Sequence, residues 1–310
     1  MAQGKIIAQE ISRKTVTWNR IETRDIISTM PNEIIANVLS RLALKEACRT
    51  SVLSTTWRYQ WTFFSGNLDF DHSLRTLLLR HENVGLLTKC NVFVREWERF
   101  MSRLQHVMKS LKCHSMQGLR ICMDMGNPWK VAEWVKFAAE KNVETLDLDF
   151  SYNFMEPFFE ISEKIRNVLS KSFEMRALRV LRLASVDVSG EILEGFLASC
   201  PMLETLSVRA SKTLESLKVQ GQGLRLKHLE LVECHILFLH ISAENLMTFT
   251  YTGNYGKVYF ENVPSLVEAS FEGKYCSYLL SNMEDVELYG VLSQVHVLKL
   301  ELFIYYGVSD

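Results

Sequence analysis

Asp147 and Asp149 sit two apart in this 310-residue chain, a spacing that on a strand could serve general acid and base work. On a strand, residues two apart face the same way, as the two carboxylates of a glycosidase must face one bond. Nothing joins them. No Ser/His/Asp order, glycine-rich phosphate loop or H-E-x-x-H helix accompanies the pair. A nucleophile, a base and a group to orient that base cannot be assembled, so no catalytic residue is expected. The two aspartates read instead as outward positions of one strand. Gly253-Asn254-Tyr255-Gly256 is a turn signal and not a nucleotide loop. Cys113 and His114 are adjacent, but no second pair stands at zinc-finger spacing, so neither a metal site nor a cofactor is expected. The cysteines at 48, 90, 113, 122, 200, 234 and 276 are scattered, with no C-x-x-C pair. Such a set fits reduced, mostly buried thiols and a place in the nucleus or cytoplasm.

Composition removes further classes. With 35 basic and 36 acidic residues, the formal net charge is −1. That leaves no electrostatic footprint for nucleic acid and no general attraction to a membrane surface. The apolar runs are far too short to span a bilayer. Residues 1–24 carry Lys5, Arg13, Lys14, Arg20 and Arg24, with no apolar core behind them, and read as a flexible tail rather than a secretory signal.

The elements that must position any function begin at Asp25. Pro31 suits the first turn of a helix, and Glu33 suits the positive end of its dipole. Ile34, Ile35, Val38, Leu39 and Leu42 come next at helical spacing as one wide apolar stripe. A second short helix holds Leu44, Ala47 and Cys48, and a third, from near Ser54, carries Trp57, Trp61 and Phe64. Three helices in so few residues cannot hide all this apolar surface, so part of it is presented to a partner.

The stretch from Asp25 to Asp71 resembles the F-box in its plant form. Asp25, Ile27, Ser28, Pro31, Glu33, Leu39, Ser40 and Leu42 match the first half of that pattern. Thr50, Ser51, Leu53, Ser54, Trp57, Arg58 and Trp61 match the second half, and Leu68, Phe70 and Asp71 the closing strand. Met30 stands where leucine is usual, Ala43 where proline is common, and Thr55-Thr56 where Lys-Arg is usual. The resemblance implies a Skp-type adaptor as partner and, through it, a cullin. It points to Met30, Pro31, Ile34, Ile35, Val38, Leu39, Leu42, Val52 and Trp57 as core or contact for that adaptor.

Beyond it, Ser73 to Leu111 reads as largely helical, a linker or cap over residues 72–115, with Trp97, Phe100, Met101 and Leu104 packing against the first repeat. Gly118 to Met125 reads as a strand, Trp129 to Lys141 as a helix and Val143 to Phe150 as a strand. Then a frame of apolar-x-x-apolar-x-apolar recurs. It runs through Met116/Leu119/Ile121, Val143/Leu146/Leu148, Leu178/Leu181/Leu183, Leu203/Leu206/Val208 and Leu214/Leu217/Val219. It continues through Leu226/Leu229/Leu231, Leu246/Phe249/Tyr251, Leu266/Ala269/Phe271 and Val295/Leu298/Leu300. First positions are separated by 27, 35, 25, 11, 12, 20, 20 and 29 residues. Steps of about 20–29 are those of leucine-rich repeats. The longer steps hold helices at Phe159 to Ser170 and Glu191 to Ser199, while the steps of 11 and 12 leave room only for turns. The fold class is thus α/β: an N-terminal three-helix F-box over 25–71, then a leucine-rich-repeat solenoid with a curved parallel sheet over 116–310.

Several segments are similar to one plant group, the F-box/leucine-rich-repeat proteins with a C-terminal FBD region. VAEWVKFAAEKNVETLDLDF, CPMLETLSV, ISAENLMTFTYTG, VPSLVEASF and LLSNMEDVELYG carry the likeness. The FBD region of that group continues past the point matching Asp310, so a partial FBD-like end is expected. The resemblance implies a substrate-recognition subunit of an SCF-type cullin-RING ubiquitin ligase, with no bond chemistry of its own. A scaffold that holds the adaptor without target turnover is the alternative. Target binding would fall on the outward positions of the repeat strands, where Arg182, Arg209 and Lys218 are expected to line up as a basic strip between Asp147/Asp149 and Glu268/Glu272. Such a strip suits an acidic or phosphorylated segment of an unknown target protein.

Overall fold

The computed structural model describes residues 27–72, 86–123, 128–151, 159–160, 175–253, 256–281 and 286–302. The expected tail, the start of the helical segment after Asp71, most of the expected helix after Phe159, the middle of the 253–256 turn and residues 303–310 lie outside them.

A 3-10 turn at Ile27–Thr29 leads into α1 (Asn32–Ser40). Pro31 stands one place before the helix rather than inside its first turn, and its carbonyl accepts from the amides of Ile34 and Ile35. Proline's fixed φ suits either place. α2 (Leu44–Arg49) is next. The third helix expected near Ser54 is a 3-10 helix at Trp57–Phe63. Its tighter winding stacks residues three apart, which turns Trp57 and Gln60 inward together.

The chain then becomes a solenoid. Its large sheet comprises β1 (Asn67–His72), β2 (Met116–Met123), β3 (Val143–Asp149), β5 (Val180–Ala184), β7 (Thr205–Arg209), β9 (His228–Cys234), β11 (Thr248–Gly253), β13 (Glu268–Glu272) and β14 (Val297–Glu301). They lie side by side in that order, every neighbouring pair parallel. The inward positions of the strands from β2 to β13 are the apolar frame residues, and all are buried. β1 was expected to close the F-box; it is also the first strand of this sheet, with Leu68 and Phe70 level with Leu119 and Ile121. α3 (Leu86–Ser110) lies against β1, with Phe100 and Leu104 buried and the Phe100 ring stacked on His72 at 4.9 Å.

One set of frame residues does not belong to this sheet. Leu214, Leu217 and Val219 go with β8 (Ser216–Gln220), which pairs with β10 (Phe238–Ser242), itself paired with β12 (Lys257–Asn262), in a second parallel sheet. Without β8, the large sheet steps from Leu203 directly to Leu226, an ordinary interval of 23 residues. The steps of 11 and 12 therefore come from a strand on the opposite side of the repeat, where earlier repeats carry helices. Those helices are α4 (Pro128–Glu140) and α5 (Gly190–Ser199). α5 abuts β8 so closely that a Cβ on Gly190 would come within 1.8 Å of the Ser216 carbonyl oxygen, which is why glycine opens this helix. The expected helix from Phe159 begins instead as β4 (Phe159–Glu160), paired with β6 (Val186–Asp187).

Backbone ladders tie successive repeats together at both ends of the strands. At the exits of β5, β7 and β9, Ser185, Ala210 and Glu233 take φ of 54°, 51° and 55°. In that left-handed turn the amides of Ser185 and Ala210 donate to the carbonyls of Arg209 and Val232 on the next repeat. Past β13 the core is closed by α6 (Lys274–Ser281), whose Tyr275 meets Tyr251 edge-on at 4.8 Å, and by α7 (Val286–Leu292) beside β12.

Candidate functional site

Two surfaces face outward with definite character. The first is the helical N-terminal region. The wide apolar stripe along α1 divides. Ile35 and Leu39 are buried, and so is Trp57, whose indole Nε1 donates to Ser28 Oγ at 2.8 Å. These three hold the helices together and are not open to a partner, because Gln60, Phe64 and Ala47 close over the same core. Gln60 Nε2 donates to Asn32 Oδ1 at 2.8 Å, which fixes the 3-10 helix to the start of α1. The other half of the stripe stays open to solvent: Met30, Pro31, Ile34, Val38 and Leu42. Ile34 and Val38 keep 49% and 50% of their surface exposed, and Val52 keeps 86%. Ile27 and Leu53 extend the same exposure, although neither was singled out as a site residue from the sequence. Leu53 could have been found, since it directly follows Val52 in a turn too short to bury both.

The second surface is the outer face of the large sheet. In register, Asp69, Arg120, Asp147, Arg182, Ser207, Glu230, Thr250, Ser270 and Lys299 form one row across it. Arg120 gathers Asp69 at 2.9 Å, Asp71 at 3.6 Å and Asp147 at 3.8 Å. Burial raises the Asp147 carboxyl above its usual range, and Arg120 and then Arg182 pull it part of the way back. Asp149 instead accepts from the amide and hydroxyl of Ser151 at 3.0 Å and 2.6 Å. The two aspartates therefore serve different neighbours.

The basic strip does not assemble. Arg182 and Arg209 are on adjacent strands, but Arg209 is held by Glu230, which also accepts from Ser207 Oγ at 2.6 Å. Lys218 is on β8, in the other sheet. The cause is the frame itself, which a strand of either sheet satisfies. Hydroxyls fill the middle of the face instead, with Thr252 donating to Glu272 at 2.8 Å and His228 Nδ1 within 2.8 Å of Thr248 Oγ1.

Comparison with known proteins bears on both surfaces. The F-box domain family matches residues 27–65, which is the helical region with the exposed stripe. The family described as At1g61320/AtMIF1, LRR domain, matches residues 104–300, well over half of the chain. This chain belongs to the F-box/leucine-rich-repeat family. Its relatives in Arabidopsis thaliana include the F-box/FBD/LRR-repeat protein At1g13570, 26% identical over 266 residues, which are 80% of this chain and 54% of the relative. The F-box/LRR-repeat protein At4g14103 is 29% identical over 290 residues, 84% of this chain and 70% of the relative. The F-box/LRR-repeat protein At2g42730 is 25% identical over 266 residues, 80% of this chain and 57% of the relative. The chain thus spans little more than half the length of two of these three relatives.

In this F-box/leucine-rich-repeat chain most of the described free thiols are buried, with Cys48 partly open. Burial pushes Cys200 up to about 12 and Cys234 up to about 11, so both stay protonated at neutral pH and are poor nucleophiles. Cys113 is buried, and its carbonyl accepts from Lys141 Nζ at 3.0 Å. Among the described residues no group of three or more His, Cys, Asp or Glu could hold a metal ion, and no helix is long and apolar enough to cross a membrane.

Proposed function

We propose that this chain is a substrate receptor of an SCF-type cullin-RING ubiquitin ligase, acting in the nucleus or cytoplasm. The observation that carries this reading is the exposed half of the α1 stripe. Met30, Ile34, Val38 and Leu42, with Val52 and Leu53, leave a set of large apolar side chains open on a domain whose core is already filled. A patch of this kind marks a protein interface, and in a matched F-box region a Skp-type adaptor is the partner it fits. A few central apolar anchors carry most of the energy of such an interface. The target protein is held by the outer face of the large sheet, where Arg182 remains part of the contact surface. The chain does no bond chemistry; it turns a bimolecular encounter between target and loaded conjugating enzyme into a local one.

The test is capture of the adaptor by the full chain. Ile34→Glu with Val38→Glu should abolish adaptor and cullin capture while thermal stability stays within about 0.5 kcal/mol of the parent, since both side chains are on the surface. Unchanged capture would remove the adaptor-binding reading of this surface. Adaptor capture without cullin would favour the scaffold.

A further inference from the structure

The second sheet carries a cleft that neither the adaptor surface nor the target face uses. β8, β10 and β12 end in register at Gln220, Ser242 and Asn262. The turns after β8 and β10 add Gln222, Glu244 and Asn245, and together these residues line a cleft of about 620 Å³. That lies within the size range of small-molecule sites. We propose that it binds a small neutral polyhydroxylated ligand, a mono- or disaccharide.

The chemistry of the lining selects this class. Asn245 Nδ2 donates to the Leu224 carbonyl at 2.8 Å, which fixes the amide and leaves its oxygen as an oriented acceptor. Asn262 Nδ2 donates to Glu244 Oε1 at 3.3 Å, which likewise leaves the Asn262 oxygen and the second Glu244 oxygen. The Gln220 and Gln222 amides each offer donors and an acceptor. A hydroxyl is both donor and acceptor, so a ligand with several hydroxyls can satisfy all of these groups. An anion would meet Glu244. A cation would find one carboxylate, already engaged. An apolar molecule would find only Leu224, itself almost fully buried.

The neighbouring surface extends the match. Tyr259 is level with His240, two residues before Ser242, or about 7 Å along the strand. Its ring is exposed and lies 5.4 Å from that of Phe238, giving an apolar surface on which a second sugar ring can rest. Gly223 also lines the cleft, and a Cβ there would meet nothing within 4 Å, so this part of the lining is uncrowded.

The full-length chain would be titrated with glucose, maltose, cellobiose and myo-inositol, monitored by ligand-observed saturation-transfer NMR and calorimetry, with glucose 6-phosphate as the charged comparison. At least one neutral probe should bind saturably. Gln220→Ala with Gln222→Ala should weaken it by at least about tenfold, the loss expected for two hydrogen bonds, with an unchanged circular dichroism spectrum. Tyr259→Ala should weaken the disaccharides more than the monosaccharides. Absence of saturable binding by every neutral probe, tighter binding of glucose 6-phosphate, or binding retained in the double glutamine variant would each overturn the proposal.

Discussion

Ala210 shows how one residue reports on the repeat. The left-handed turn at its φ of 51° costs a non-glycine residue about 1–2 kcal/mol. Glycine removes that strain but adds freedom to the unfolded chain worth about 0.4–1 kcal/mol. Strain is the larger effect, so Ala210→Gly should stabilise the fold by up to about 1 kcal/mol in urea unfolding; a loss of stability would show that the turn is not strained. Asp147 makes a prediction of opposite chemistry. Its carboxyl is raised by burial, so the fold favours the protonated form and stability is lost as pH rises and the group ionises. Asp147→Asn should therefore stabilise the chain at neutral pH, and the gain should vanish as pH falls below the ordinary carboxylate range. An equal gain at both pH values would place the effect elsewhere. Their alternation with the apolar frame residues Leu146 and Leu148 revealed that Asp147 and Asp149 are outward. It did not reveal that Arg120, on the preceding strand, engages one and not the other, because that depends on register.

At the scale of elements, what was legible was the period, and what was hidden was the side. The frame of three apolar positions found every strand of the large sheet from β2 to β14; those from β2 to β13 bury the same face in the same way, while β14, at the edge, leaves Leu298 and Leu300 exposed. Leu214, Leu217 and Val219 satisfy the frame equally well in a strand of the second sheet, because burial against the same core demands the same alternation. The distinguishing signal was the interval, and Ile236, Leu239 and Ile241 repeat the frame on β10. In α1, similarly, helical spacing gave the stripe but not which half of it the neighbouring turns would cover. The long helix α3 is a clearer case, since its apolar residues recur on one face and it lies against β1. Leu104 is fully buried there. Leu104→Ala should cost about 2–5 kcal/mol, as for other buried leucines, measured by chemical unfolding. A cost near zero would mean that α3 is not integral to the solenoid end.

The whole molecule is organised by the shared strand. β1 starts shortly after the 3-10 helix at Trp57–Phe63 and pairs along its length with β2, so the helical region and the solenoid meet without a linker. Backbone bonds reinforce the join, with Lys112 N donating to the Thr62 carbonyl at 2.7 Å and Gln117 N to the Ser65 carbonyl at 2.9 Å. A Cβ on Gly66 would come within 2.2 Å of the Ser40 carbonyl oxygen, so the end of α1 presses directly on this junction. In the proposed ligase, so direct a join has a purpose. Proximity catalysis depends on how often the held target meets the loaded enzyme, and a flexible tether dilutes that local concentration as it lengthens. Inserting a Gly/Ser linker between Ser65 and Gly66 should therefore leave capture of adaptor and of target intact, each assayed by pull-down. The rate of ubiquitin transfer to the captured target should fall, and fall further with a longer linker. Transfer at the parental rate with a long linker would show that the direct junction serves folding alone. Loss of capture as well would show that the two surfaces are folded by one another and cannot be separated.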